Sequence, residues 1–389
     1  MNNSSTKILI VALFLLTVLS GYNYFQRPFL KFFQAQQAAN QQLVSVTPQP
    51  TLSQEQQILD SFSTEQKIWQ LVSLPVSLEN NQEASQTAEM EFIYEHQPGF
   101  VTIFGSKLNM ETVKDFTQHL PVAEAGFVPL VAVDHEGGTV QRLAGDGFLS
   151  LPSWAAICQE STGEKLSTFE QSARELRSAG VNIVFAPVVD VPREGSFLKT
   201  RACKDQLALL STAEDYIKSF GEQGILAVVK HYPGIGSLTK DLHFYQQEVY
   251  PGSQDTTPFE RLFSAFPNIG VMSAHVVVPD RTAGLPCSLS KVCLDPFPVH
   301  FPDVMVFVDA LEMESARITD ENGEEVSFEM TAKMAMIAGN DVLVFGEKVS
   351  YDDLSSMVEF LAANYEQDEE FKTTVDQSLL KILDLKIID

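Results

Sequence analysis

Six side chains that can do acid, base or ionic chemistry stand where short apolar runs end: Asp134, Asp190, Lys230 with His231, His275 and Asp309. A charged group closing an apolar run is costly to bury alone, so these residues are expected to ring a wet, polar pocket. A carboxylate such as Asp309 is favoured in its ionised form by a nearby cation, and Lys230 is expected to supply one. A seventh feature lies in a loop, where Asp241 precedes His243 by two residues. A histidine titrates near neutrality and can both give and take a proton, while an acidic partner orients its ring. Read blandly, Asp309 is a helix N-cap and His243 a surface residue. The bland readings weaken when the features are taken together.

Eight short runs carry these residues: Leu71–Val76, Phe100–Phe104, Pro129–Val133, Val181–Phe185, Ile225–Val229, Val271–Ala274, Val304–Val308 and Asp341–Phe345. They alternate with amphipathic stretches, which predicts βα units and a parallel sheet. Several runs are apolar on both faces, as suits strands covered by helices outside and packed side chains inside. Gly126, Gly180, Gly224 and Gly339 each separate a helical stretch from the next strand, the place for a left-handed helix end. Eight such units predict an α/β fold of the (β/α)8 TIM-barrel type in a single catalytic domain, with an open doubly wound sheet as the alternative. In such a barrel the residues after each strand face the active site.

Outside the barrel, Lys7 precedes an apolar run from Ile8 to Leu19, read as a signal peptide or signal anchor within residues 1–25. Residues 26–58 are rich in Gln, Ser, Thr and Pro and are expected to be a flexible linker. The folded domain is expected over 59–389, opening with a capping box from Ser63 to Gln66. With 26 basic and 51 acidic residues the net charge is −25, which repels phosphate backbones and argues against a nucleic-acid partner. The four cysteines have no metal-ligand spacing and are too few and scattered for a disulfide scaffold; one bridge is possible if the domain lies outside the cytoplasm, and the sequence leaves their pairing open. No metal or organic cofactor is expected.

The residues fall into a recognisable series. Asp134-His-Glu-Gly-Gly138 with Gln141-Arg142, Asn182–Asp190, Lys230-His-Tyr-Pro-Gly-Ile-Gly236 with Asp241-Leu-His243, Val271–His275, Pro286–Ser290, Asp309–Met313 and Ala338–Asp341 resemble, in order, motifs of glycoside hydrolase family 3. The Asp-x-His pair resembles the β-N-acetylglucosaminidase (NagZ-like) branch, and the absence of a second, carboxylate-bearing domain is expected for that branch. The resemblance implies a retaining exo-glycosidase acting on cell-envelope glycans such as peptidoglycan fragments. It assigns Asp309 as nucleophile, His243 as acid/base and Asp241 as its orienter. It also places Asp134, Arg142, Arg201, Lys230 and His231 around the terminal sugar. Glycines 234 and 236 are expected to make the loop mobile. His135, Thr139 and Ile235 depart from the family pattern, which bears on substrate preference. A β-glucosidase of the same family and a non-catalytic glycan-binding barrel tethered to the envelope are the alternatives. The expected setting is extracytoplasmic, with a carbohydrate substrate as partner and the N-terminal segment as a membrane anchor.

Overall fold

The structure is a computed structural model that describes residues 54–80, 83, 87–122 and 127–388. The apolar segment and most of the linker lie outside the described residues, as does Gly126. Among the described residues no helix is long and apolar enough to cross a membrane.

The strands are β1 (Val72–Ser77), β2 (Phe100–Phe104), β3 (Leu130–Val133), β4 (His135–Gly137), β5 (Val140–Gln141), β6 (Ile183–Val184), β7 (Leu226–Tyr232), β8 (Gly270–Ser273), β9 (Met305–Val308) and β10 (Leu343–Val344). Eight of them pair in parallel in the order β10-β1-β2-β3-β6-β7-β8-β9, and β4 and β5 form a separate antiparallel pair. The two ends of the large sheet meet. Phe307 bridges Val342 in parallel, Val308 N–H donates to the Val342 carbonyl at 3.0 Å, and Leu311 N–H donates to that of Val344 at 3.2 Å. The sheet is therefore a barrel, as predicted, with all eight expected runs contributing. The fourth and eighth are only two residues long as strands.

Burial explains the closure. The residues of β3, β8 and β9 are buried on both faces, and large side chains fill the barrel interior. Phe307 meets Phe100 and Phe185 edge-on, with ring centroids 6.0 and 5.9 Å apart. Outside, helices Thr162–Ser178 and Gln206–Gly221 pack together through Phe169, Tyr216 and Phe220. The joints behave as the sequence predicts. Gly180, Gly224 and Gly339 have φ of +84°, +70° and +112°, which side chains with a Cβ rarely adopt. Ser63 and Gln66 form the expected capping box.

Two expectations need correcting. Helix Gln54–Ser61 precedes the capping box, so the last residues assigned to the linker are helical. All four cysteines are bridged, Cys158 to Cys203 and Cys287 to Cys293, where the sequence allowed one bridge and left the pairing open. Pairing joins residues that the fold brings together, and the spacings of 45 and 6 do not reveal it.

Candidate active site

A cavity of about 290 Å³ opens at the C-terminal ends of the strands. It is lined by all eight residues assigned from sequence: Asp134, Arg142, Arg201, Lys230, His231, Asp241, His243 and Asp309. That volume lies at the lower end for small-molecule sites, which run from roughly 300 Å³ upward.

Its floor is an ionic network. Asp134 follows β3, and Lys230 lies near the end of β7. Lys230 Nζ reaches Asp134 Oδ1 at 2.9 Å and Glu136 Oε1 at 2.7 Å. Arg201, on the loop before helix Gln206–Gly221, grips Glu136 with two hydrogen bonds, Nε to Oε2 at 2.9 Å and Nη2 to Oε1 at 2.8 Å. Arg142 Nη2 donates to Asp134 Oδ2 at 3.3 Å. Burial alone would raise both carboxyls, but Lys230 and the arginines outweigh it and hold them below their ordinary range. Burial likewise opposes the charge of Lys230, and the two carboxylates overcome it, so its ammonium is held above its ordinary value. Two acids and three bases thus form fixed donors and acceptors for a ligand's hydroxyls. The ion-pair partners of Lys230 are Asp134 and Glu136, not Asp309 as expected.

Asp309 follows β9 and is partly exposed to the cavity. It does not cap a helix. One oxygen, Oδ1, accepts from Ala310 N–H at 2.9 Å. Beneath it lies His275, wholly buried, with Nδ1 and Ser288 Oγ 2.6 Å apart. Its Nε2 sits 3.1 Å from both the Asp309 and Ala310 carbonyls, which accept only from an Nε2–H. Burial pushes its pKa down, so it is the neutral ring that ties the backbone of the Asp309 turn.

On the loop that follows β7, His243 and Asp241 form the predicted pair. Asp241 Oδ1 accepts from His243 N–H at 3.0 Å and from Nδ1–H at 2.8 Å, leaving Nε2 uncommitted by this contact. Burial opposes the ionised form of Asp241, and these two bonds more than offset it, so its carboxyl is held below its ordinary value. The side chains of His243 and Asp241 are 62% and 44% exposed, so the pair stands at the mouth rather than the floor.

Other expectations fail here in instructive ways. Asp190 and His275 do not line the cavity. Asp190 is buried beneath it and accepts from His231 N–H at 3.1 Å, Ile235 N–H at 2.7 Å and the His231 ring at 2.8 Å. Gly234 and Gly236 are buried. A Cβ on Gly236 would stand 2.0 Å from the Val191 carbonyl, so close packing, not mobility, calls for glycine there. His135 faces away from the cavity, against Ser172 and Phe220, whereas Ile235 lines it. Thr139 sits in the exposed turn between β4 and β5.

Three carboxylates that line the cavity, Glu136, Glu312 and Glu347, were not assigned from sequence. Glu136 lies two residues beyond Asp134 in an extended segment, a spacing that puts both side chains on one side. Glu312, three residues after Asp309, accepts from Gly346 N–H at 3.0 Å. Burial, with a contribution from the charge of Asp309, pushes its pKa up. No such periodicity marks it. Among the described residues no cluster of metal-ligating side chains occurs.

The chain matches known proteins along nearly all of this barrel. The Glycosyl hydrolase family 3 N terminal domain profile covers residues 63–385. A beta-hexosaminidase of Shewanella frigidimarina is 31% identical, over 60% of this chain and 71% of its own length. One of Thioalkalivibrio sulfidiphilus is 32% identical, over 57% of this chain and 66% of its own. Among such relatives the chain spans from half to about seven-tenths of their length. Among solved structures, LpqI of Mycobacterium tuberculosis superposes with a TM-score of 0.72 at 22% identity, covering 86% of this chain and 97% of that one. The β-N-acetylhexosaminidase of Beutenbergia cavernae gives 0.71 at 22% identity, covering 84% and 98%. At that identity the superpositions speak for the fold.

Proposed function

The chain belongs to glycosyl hydrolase family 3, and from that membership we propose that it is a retaining exo-β-N-acetylglucosaminidase. The observation that carries the reading is that Asp309 and the Asp241–His243 pair line one cavity above the Asp134–Glu136–Lys230–Arg201 network. The relatives' names as beta-hexosaminidases support the same substrate class.

The chemistry follows from the atoms. With Oδ1 held by Ala310 N–H, Asp309 presents Oδ2 to the anomeric carbon of the terminal sugar. As that bond forms, the glycosidic C–O bond breaks, and His243 Nε2–H gives its proton to the leaving oxygen. The Nδ1–H bond to Asp241 stabilises the ring while it carries charge. Water then attacks the covalent glycosyl-enzyme, His243 Nε2 takes a proton from it, and Asp309 leaves. The sugar retains its anomeric configuration. Asp134 accepts from and Arg142 donates to hydroxyls of the terminal sugar, and Lys230, Arg142 and Arg201 keep the Asp134 acceptor ionised.

We place the natural substrate among cell-envelope glycans and the enzyme outside the cytoplasm, anchored or secreted. Two disulfides support an oxidising compartment, and the apolar N-terminal run supports export. The test is hydrolysis of an aryl β-N-acetylglucosaminide by the purified chain between pH 5 and 8, against the matching glucoside. No aglycone release from the former by folded protein overturns the proposal. His243→Ala should slow a poor leaving group by about 10²–10⁴-fold and an activated aryl one far less. Equal losses would remove His243 as the proton donor.

A further inference from the structure

The cavity accounts for one sugar. The proton from His243 goes to the oxygen joining that sugar to the next, so the next ring must lie on the outer side of His243. There the sequence continues Phe244-Tyr245, with side chains 62% and 50% exposed. Water-facing apolar area of this kind, adjacent in sequence to a catalytic side chain, serves no packing purpose in the barrel. Lys240 Nζ lies 4.8 Å from the Tyr245 ring centre and steadies it.

These rings form one side of an open groove of about 420 Å³, whose other side is the segment that follows the Asp309 turn: Glu314, Arg317, Ile318 and Thr319, with Glu325. Residues 241–243 and 309–313 contribute to the cavity, while 244–246 and 314–319 contribute to the groove. The two spaces are therefore built from successive parts of the same two loops, and they adjoin at His243/Phe244 and Met313/Glu314. Arg317 Nε lies 3.4 Å from Glu314 and its Nη1 3.2 Å from Glu325. The lining therefore carries one more acid than base, with Lys240 engaged over the Tyr245 ring, so a carboxylate would meet a net negative lining on a chain whose net charge is already −25.

We propose that this groove is the aglycone subsite, in which Phe244 and Tyr245 stack on the apolar face of a neutral pyranose. Aromatic faces suit such rings because axial C–H groups meet the π-surface while hydroxyls point outward to Glu314, Thr319 and Arg317. The substrate is then an oligosaccharide whose second sugar is uncharged. Fragments whose second sugar bears an acidic lactyl group, as in peptidoglycan, are disfavoured, which narrows the envelope glycans expected from sequence. The inference rests on the hydrolytic reading above.

The test uses the full chain and three substrates: methyl β-N-acetylglucosaminide, the neutral β-1,4-linked N-acetylglucosamine disaccharide, and that disaccharide with a 3-O-lactyl group on its reducing ring. The wild type should prefer the neutral disaccharide over each of the others by about tenfold or more in kcat/KM, a factor typical of one or two aromatic stacking contacts. Phe244→Ala and Tyr245→Ala should each collapse the preference over the methyl glycoside, mainly through KM, and Phe244→Tyr and Tyr245→Phe should restore it. A preference unchanged in both alanine variants, or a lactyl disaccharide cleaved as well as the neutral one, overturns the subsite. If the chain cleaves none of the three, the hydrolytic reading falls, and calorimetric binding of the neutral disaccharide still decides the groove. Weakening by about tenfold in Phe244→Ala supports it, and equal affinity overturns it.

Discussion

Of the three buried lysines among the described residues, Lys165, Lys230 and Lys386, the last two lie at the two ends of the barrel and have opposite fates. Lys230, near the C-terminal end of β7, is 3% exposed and bonded to two carboxylates, so it stays charged despite its burial. Lys386, in the last helix, is 8% exposed, and Gln70 accepts from its Nζ at 2.8 Å, with the rings of Phe100 and Phe127 each 5.9 Å away. With burial unopposed, its pKa is pushed down to about 7. Burial is common to both, so partner charge decides the protonation state. Charge is concentrated where a ligand is to be held and left uncompensated where only packing is at stake.

The contrast breaks most sharply at Lys230. Lys230→Met leaves the buried Asp134 and Glu136 without their shared cation. A loss of about 3–5 kcal/mol in stability, with collapse of sugar affinity, is expected in urea melts and in KM. Both carboxyls have folded-state values below their unfolded ones, so their contribution is present above the unfolded pKa and lost as pH falls. The stability gap between the variant and wild type should therefore shrink as pH is lowered through the carboxylate range. A gap independent of pH would show that Lys230 acts only by packing.

Lys386→Met should do the reverse and stabilise the chain by about 1–4 kcal/mol at pH 7, because it removes a poorly compensated buried amine. The unfolded lysine titrates near roughly 10.4 and the folded one at about 7. Between these values the unfolded state binds more protons, so wild-type stability rises with pH across that window. The advantage of the variant should fade as pH climbs from 7 towards 10, and a constant advantage would sink the argument.

The smallest effect belongs to Glu312, whose charge is coupled to Asp309 and His243. Removing a negative charge from the cavity favours the deprotonated forms of the groups around it. With Glu312→Gln, both limbs of the kcat/KM profile should move to lower pH by under about one unit. Movement of one limb alone, or in the other direction, would separate Glu312 from the pair.

The barrel was legible because each strand is a short apolar run and each break carries a glycine or a cap, signals local in sequence. Strand ends were legible as places but not as directions. Asp190 and His275 turned out to brace the floor, because their chemistry depends on which neighbours the closed sheet supplies. Glu136 escaped notice although it stands within the same motif as Asp134, since its meaning lies in Arg201, 65 residues away. The Asp241–His243 pair was readable because both members sit in one turn. Glu312 was not, because its partner is the backbone of Gly346, in the loop after β10. The disulfide partners were hidden for the same reason.

Those bridges have a consequence for handling the protein. Cys203 lies two residues from Arg201, which grips Glu136, and Cys287 adjoins Ser288, which holds the His275 that ties the Asp309 turn. A thiol reductant in the assay buffer would loosen both supports at once. Material made in a reducing cytosol and kept in dithiothreitol should show a raised KM that falls once glutathione redox buffer is supplied. Activity would then record oxidative maturation rather than expression level, and preparations differing only in thiol content should not be ranked against each other.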